Sequence, residues 1–187
     1  MQSEESNPIK DYLFEYIKSS DTIPSLLTQK KFDEIILEVT KNCHDEIVSL
    51  GAETGNKDES IGVLATGLLH YLLTNALITS QRKIDHKGIE LDIVIPDVKT
   101  LEKDPKKTLL ICIPKSSDKK IIEDKISLLE KIQPEKDNIW LVLSDDVQID
   151  KKYFVLTKDN NTFSKIIFEI AQFTNVNAAS KFKILRI

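Results

Sequence analysis

GIELDIVIPD at residues 88–97 and TLLICIPK at residues 108–115 are the two segments that decide the fold of this chain. In the first segment, side chains alternate between two faces: Glu90, Asp92 and Val94 on one, and Leu91, Ile93 and Ile95 on the other. A period of two residues predicts a β-strand. The second segment is almost entirely apolar, which is typical of a strand buried on both faces. A proline ends each run, so we expect a pair of strands with Asp92 on the first and Lys115 directly after the second.

Composition favours one domain with a large core. The chain has 187 residues, of which 41% are hydrophobic and 30% charged, and its net charge is -4. A core of useful size is therefore expected, and no global basic field indicates nucleic acid. Cys43 and Cys112 fit no disulfide or zinc spacing, and the acidic N-terminal residues do not resemble a signal peptide. We expect a reducing, cytoplasmic setting.

One uncharged stretch, residues 60–81, is long enough to cross a bilayer. It nevertheless contains His70, Asn75, three threonines and two glycines, which are costly or neutral in lipid. We interpret it as a buried core helix that Ser60 caps, and we expect no membrane association.

The remaining periodicities complete an α/β pattern. Helices are predicted over residues 8–18, 30–50, 60–78, 118–132 and 160–173, and further strands over residues 79–84, 138–143, 153–156 and 182–187. This order predicts a central mixed β-sheet flanked by helices. We expect residues 1–59 to form an N-terminal helical extension packed on the core, and residues 60–187 to form the α/β domain.

Two further patterns carry little chemistry. The three histidines are scattered, and no Cys/His pair has the spacing of zinc ligands. Ser144, Asp145 and Asp146 follow a predicted strand, where doubly wound folds bind ligands, but no glycine-rich loop accompanies them. We interpret this segment as a turn.

The order of elements resembles the core of the restriction-endonuclease-like, or PD-(D/E)XK, superfamily, which also includes archaeal Holliday-junction resolvases. The signature of that superfamily is an acid on the second strand, then an acid, any residue and a lysine on the third. Residues 88–94 resemble the second strand and residues 110–115 the third. Asp92 then matches the metal-binding acid, and Lys115 matches the catalytic lysine. The resemblance covers about residues 60–143 and implies a degenerate, archaeal-type member.

The resemblance also implies a metal site that this chain does not complete. Phosphodiester cleavage of this kind needs Mg²⁺ held by carboxylate oxygens, a water activated on it and a nearby cation. Ile113 stands at the position of the second acid. Glu90 or Asp97 could replace it, and Pro96–Asp97 also matches the P-D of the superfamily's name; further candidate acids from the helical part are Glu46, Glu53 and Glu59. The predicted site is therefore Asp92, Lys115 and Glu90 for catalysis, with Asp92 and Asp97 as ligands of Mg²⁺ if the protein is active.

Two functions follow from this site, and Ile113 favours the first. One is a non-catalytic module that keeps the nuclease-like fold and binds nucleic acid or a protein partner; the other is a divergent Mg-dependent nuclease that cuts DNA or RNA. Basic residues that could contact phosphates are Arg82, Lys83, Lys87, Lys119 and Lys120.

Plainer alternatives remain. Asp92 could be an ordinary solvent-facing strand residue, Lys115 a surface lysine, and the basic set a solvated surface. An unrelated α/β interaction domain is the third reading. The oligomeric state stays open, with a homodimer among the alternatives.

Overall fold

The computed structural model describes residues 7–54 and 56–182, with the side chains of 53, 54 and 176–182 left aside. The helices are α1 Pro8–Ser19, α2 Ile23–Thr28, α3 Phe32–Thr54, α4 Lys57–Asn75, α5 Val98–Lys103, α6 Lys119–Leu129 and α7 Ile166–Phe182. The strands are β1 Gln81–His86, β2 Ile89–Ile95, β3 Leu109–Cys112, β4 Ile139–Leu143 and β5 Tyr153–Val155. Single 3-10 turns occupy Pro105–Lys107, Lys136–Asn138 and Thr162–Lys165.

The five strands form one mixed sheet in the order in which they occur along the chain. β2 runs antiparallel to its neighbours β1 and β3, whereas β3, β4 and β5 run parallel. The parallel pair β3–β4 is joined through α6, as parallel strands require a crossover. This confirms the predicted α/β fold with a central mixed sheet. The sequence predicts a last strand over residues 182–187. Phe182 is instead the last residue of α7, and residues 183–187 lie outside the described residues.

Each face of the sheet has its own apolar core. On one face Ile93, Ile111 and Ile113 pack with the long helices α1, α3, α4 and α7; on the other, Val94 and Leu110 pack with α5 and α6. β3 and β4 are buried along their whole length, which explains their uninterrupted apolar sequences. Because α1 and α3 share the first core with α4 and the sheet, the helical N-terminal part contributes to the same burial of apolar surface.

Asparagines, and not Ser60, cap the two helices that border the site. The Asn7 side chain accepts hydrogen bonds from Ile9 and Lys10, and Asn56 does the same for Asp58 and Glu59. The prediction that Ser60 begins α4 is therefore wrong, because Asn56 satisfies the free N–H groups one turn earlier. The Ser60 hydroxyl instead donates to the carbonyl of Asn56 at 2.9 Å.

α4 carries most of the uncharged stretch, and ten of its 19 residues are buried inside the protein. Its first turn contains Lys57, Asp58 and Glu59. Among the helices of the described residues, none combines the length and the apolar character that crossing a membrane requires.

The predicted alternation of β2 breaks at Asp92. Leu91 packs in the second core together with Val94, whereas Ile93 and Ile95 pack in the first. The expectation that Leu91 shares a face with Ile93 is therefore wrong. In the register of β1 and β2, Ile84 pairs with Leu91 and Arg82 pairs with Ile93, so Lys83 lies opposite Asp92. Lys83 has φ 50°, far from strand conformation, and the strict two-residue period is lost at this point.

Candidate functional site

A cavity of about 190 Å³ lies where α1, α4, β1, β2 and the segment after β3 meet. Three carboxylates and three lysines line it: Glu59, Glu90, Asp92, Lys10, Lys83 and Lys115. The remaining lining residues include Asn7, Gly62 and Ile113. The structure therefore brings together the three residues predicted for catalysis, and Glu59, one of the candidate acids from the helical part, lines the same cavity.

Asp92 is the most buried acid of this cavity, and its carboxylate is held by the neighbouring strand. Its Oδ2 accepts a hydrogen bond from the backbone N–H of Ile113 at 2.8 Å. Burial raises the pKa of Asp92 above its ordinary value, while the bond from Ile113 and the charge of Lys125 act in the opposite direction. This hydrogen bond links β2 to the residue that follows β3, and it uses only one of the two carboxylate oxygens of Asp92.

Ile113, which the sequence resemblance aligns with the second acid, has its side chain in the core. It is 5% exposed and packs against α4, where a Cβ on Gly62 would lie 3.5 Å from its Cγ2. Ile113 also lines the cavity. The cavity wall is therefore apolar at Ile113.

Lys115 is paired with an acid of α4. Its Nζ lies 3.7 Å from Oε1 of Glu59, and both side chains are more than half exposed, at 67% and 52%. The Asn56 side chain also donates to the carbonyl of Lys115 at 3.2 Å. An exposed ion pair of this kind adds little stability, so it leaves Lys115 available to a stronger anionic ligand.

The other acids proposed from the sequence have different positions. Asp97 caps α5, accepting from the Thr100 N–H at 2.7 Å, and it is not part of the cavity wall. Glu90 is exposed at the cavity, and its backbone carbonyl accepts from Lys125 at 2.8 Å. Glu46 does not line the cavity, and the side chain of Glu53 is outside the description.

The two positions that the resemblance assigns to metal-binding acids supply one carboxylate, because they hold Asp92 and Ile113. Two more carboxylates, Glu59 and Glu90, line the same cavity, and Glu59 forms an exposed ion pair with Lys115. Within residues 7–54 and 56–182, no three acidic, histidine or cysteine side chains are grouped as metal ligands would be. The catalytic and metal roles of Asp92, Glu90, Asp97 and Lys115 stay predictions.

The predicted basic residues divide into separate places. Lys83 lines the cavity together with Lys10 and Lys115. Arg82 is the neighbour of Lys83 in β1. Burial lowers the pKa of His70, and the charge of Arg82 lowers it further. Lys87 occupies the β1–β2 turn with φ 54°, and two exposed lysines, Lys119 and Lys120, begin α6.

Sequence reasoning missed the contribution of α1. Lys10 and Asn7 reach the cavity from the first helix, and nothing in their local sequence marks them. Only the packing of α1 against α4 brings them there.

A second polar cluster joins α4 to the ends of the parallel strands. The Asp58 carboxylate accepts from the Ser117 N–H at 2.7 Å, from the Ser117 hydroxyl at 2.9 Å and from the Ser144 hydroxyl at 2.6 Å. Asp145 accepts from the same Ser117 hydroxyl at 3.2 Å and lies 3.5 Å from Lys57. Burial opposes ionisation of Asp58, but the bonds from both serines hold its pKa below the ordinary value. The segment predicted as a turn therefore also fixes α4 over the sheet.

Comparison with known proteins gives a match at the level of the fold. The sequence matches no protein-family model, and no curated protein matches it. A solved structure, the complex of restriction endonuclease PspGI with its substrate DNA, superposes with a TM-score of 0.57 at 17% identity. The match covers 90% of this chain and 93% of that one. The chain therefore has a restriction-endonuclease-like fold, which confirms the fold that the sequence resemblance implied.

Proposed function

We propose that this protein binds nucleic acid through the face that contains the cavity, as a nuclease-like module with a degenerate metal site that does not cleave its ligand. The observation that carries the proposal is the environment of Ile113. An apolar side chain, 5% exposed, faces the cavity where the signature requires an acid. The lysines of the same cavity remain, and contacts from lysine to phosphate need no metal.

The choice of nucleic acid over a protein partner rests on the three lysines of the cavity and on the structural neighbour. Lys10, Lys83 and Lys115 line the cavity beside three carboxylates, so the individual lysines, and not an excess of positive charge, would supply the contacts to phosphate. The neighbour with the same fold is described with substrate DNA. We place this binding in the cytoplasm, where two free, buried cysteines are not at risk of pairing.

A divergent Mg-dependent nuclease is the second candidate, and one observation favours it. Glu59 and Glu90 line the same cavity as Asp92, so each is near the place that the missing acid would occupy. Mg²⁺ is then the expected cofactor; the non-catalytic module needs none.

Fluorescence anisotropy with labelled duplex, branched and single-stranded DNA and with RNA tests the binding proposal. We expect the logarithm of the association constant to fall linearly with the logarithm of salt concentration, because lysine contacts release counterions from the phosphates. Lys83→Glu and Lys115→Glu should weaken binding and change the salt slope by about 1 each. Lys41→Glu is the matched control, since Lys41 is exposed on α3 and does not line the cavity. Absence of binding to every probe would reject nucleic acid and leave a protein partner.

Cleavage and metal binding separate the two candidates. The same substrates are incubated with Mg²⁺ and with Mn²⁺, and Mn²⁺ is titrated calorimetrically against wild type and Asp92→Asn. The non-catalytic module predicts intact substrates and no metal binding that depends on Asp92. Cleavage that Asp92→Asn abolishes would overturn it in favour of the nuclease.

A further inference from the structure

The segment that carries Lys115 has no regular structure of its own. Residues 113–118 join β3 to α6 and lie outside any helix or strand. Pro114, directly before the lysine, has no N–H to donate. The backbone groups of such a segment are satisfied by side chains or by water, because no helix or strand ladder supplies partners. The position of Lys115 on the cavity wall therefore depends on the side chains that bind this segment.

The first turn of α4 binds the segment at two points. The Asn56 side chain donates to the carbonyl of Lys115 at 3.2 Å. The Asp58 carboxylate accepts from the N–H of Ser117 at 2.7 Å and from its hydroxyl at 2.9 Å. Since β2 accepts the N–H of Ile113, the backbone is fixed on both sides of Lys115.

Asp58 is the stronger of the two contacts from α4. Hydrogen bonds to a charged acceptor are shorter and stronger than those between neutral groups. The same carboxylate also accepts from the hydroxyl of Ser144, a buried residue directly after β4, at 2.6 Å. Asp58 thus fixes the lysine-bearing segment relative to the sheet. It does not line the cavity, so it can affect a ligand there only through other residues.

We propose that Asp58 is a positioning residue, which keeps Lys115 where this lysine contacts phosphate; this inference rests on the proposed binding of nucleic acid. Glu59, the next residue of α4, acts in the opposite direction. Its carboxylate lies 3.7 Å from the Nζ of Lys115 and competes with phosphate for the lysine. Two adjacent acids therefore have opposite effects on one lysine, Asp58 through the backbone and Glu59 through the side chain.

Asp58→Ala and Glu59→Ala remove the same charge from adjacent positions, so each is the control for the other. By charge alone, both should strengthen the binding of a polyanion. Fluorescence anisotropy with labelled duplex, branched and single-stranded DNA and with RNA measures the affinities. We expect Glu59→Ala to raise affinity by roughly 2- to 5-fold, as loss of a competing exposed ion pair predicts. Asp58→Ala should instead lower affinity to that of Lys115→Gln and reduce the salt slope by about 1.

A double variant tests whether Asp58 acts through Lys115. Asp58→Ala combined with Lys115→Gln should bind as Lys115→Gln does alone, because the contact that Asp58 positions is already lost. Effects that multiply in the double variant overturn the proposal. So does an Asp58→Ala variant that binds as tightly as Glu59→Ala.

A variant without charge change guards against misfolding of Asp58→Ala, and circular dichroism verifies that each variant is folded. Ser117→Ala removes one hydrogen bond to Asp58 and leaves every charge in place. It should lower affinity in the same direction as Asp58→Ala but by less. Unchanged binding of Ser117→Ala, together with unchanged binding of Asp58→Ala, overturns the proposal.

Hydrogen exchange in the free protein distinguishes failure of this inference from failure of the proposed function. Exchange of the Ser117 amide, followed by NMR, should accelerate in Asp58→Ala and not in Glu59→Ala, because only Asp58 accepts this N–H. Equal exchange in the two variants overturns the positioning role even if nucleic acid binds. Accelerated exchange in Asp58→Ala, with no binding of wild type to any probe, overturns the role in binding together with the proposed function.

Discussion

The Asp92 carboxylate of β2 accepts the backbone N–H of Ile113, the residue that follows β3, at 2.8 Å. The acid that the sequence places in a catalytic role thus also has a structural task. It accepts the hydrogen bond of the Ile113 N–H just after β3 ends, and the side chain of Ile113 is only 5% exposed. Loss of activity or binding in an Asp92 variant must therefore be separated from loss of stability.

Asp92→Ala should lower the free energy of unfolding by about 1–3 kcal/mol, because the N–H of Ile113 is left without an acceptor in a buried place. Urea denaturation at neutral pH measures this value. Glu90→Ala is the control: the Glu90 side chain is exposed, and the bond from Lys125 goes to its backbone carbonyl. It should change stability by no more than about 0.5 kcal/mol. Equal effects of the two substitutions would contradict a structural role for Asp92.

The pH dependence of Asp92→Asn should have a definite sign. Burial raises the pKa of Asp92 in the folded protein, so the folded state binds the proton more tightly than the unfolded state. The contribution of this group to stability is then complete below its ordinary pKa of 3.8 and is lost as pH rises through the raised value. Asparagine keeps an acceptor and never ionises. The variant should therefore equal or exceed wild type in stability at pH 7, and this advantage should shrink toward low pH; an advantage that grows on acidification would contradict the raised pKa.

The parts of the fold that the sequence predicted depend on local pattern. β3 and β4 are recognisable because strands buried on both faces must be apolar at every position. Asp92 and Lys115 line one cavity because two consecutive antiparallel strands bring the middle of one beside the segment that follows the other.

The parts that escaped prediction depend on packing between distant segments. The change of face between Leu91 and Ile93 arises opposite Lys83, whose positive φ has no mark in the sequence. Lys10 reaches the cavity because α1 packs on α4, and the sequence around it reads only as an amphipathic helix. Side-chain partners of a site are thus set by tertiary contacts that local periodicity does not encode.

Asp58→Ala should destabilise the protein by about 2 kcal/mol, because hydrogen bonds to a charged acceptor contribute about 1.5–3 kcal/mol each and this one is partly exposed. The substitution removes the acceptor of both Ser117 bonds and of the Ser144 hydroxyl. Thermal unfolding followed by circular dichroism measures the loss. Asp124→Ala, at an exposed position of α6, is the control and should have little effect.

Asp58 should also make the stability of the protein depend on pH, with a sign opposite to that of Asp92. Hydrogen bonds from the serines lower the pKa of Asp58 despite its burial. Its stabilising contribution is therefore present above the ordinary value of 3.8 and is lost as pH falls through the lowered one. The difference in stability between wild type and Asp58→Asn should close on acidification, and a difference that persists at the lowest pH would contradict this assignment.

Two helical glycines should respond in opposite ways to alanine. A Cβ on Gly51 would lie 1.7 Å from the Ser60 hydroxyl oxygen and 2.6 Å from its Cβ, so α3 and α4 must separate to admit it. Overpacking of this kind costs about 1–3 kcal/mol. On Gly62 the nearest atom is Cγ2 of Ile113 at 3.5 Å, an ordinary contact. Gly62→Ala should therefore keep the usual helical gain of about 0.5–1 kcal/mol.

Chemical denaturation of the two variants, with a third that combines Gly51→Ala and Ser60→Gly, completes this test. The third variant removes the side chain that the new methyl group would meet, so it should recover stability relative to Gly51→Ala alone, although glycine at position 60 costs helix propensity of about 1 kcal/mol. Recovery would assign the loss to the contact between α3 and α4. If Gly51→Ala were as stable as Gly62→Ala, the close approach of these helices, and with it the placement of Glu59 beside Lys115, would be wrong.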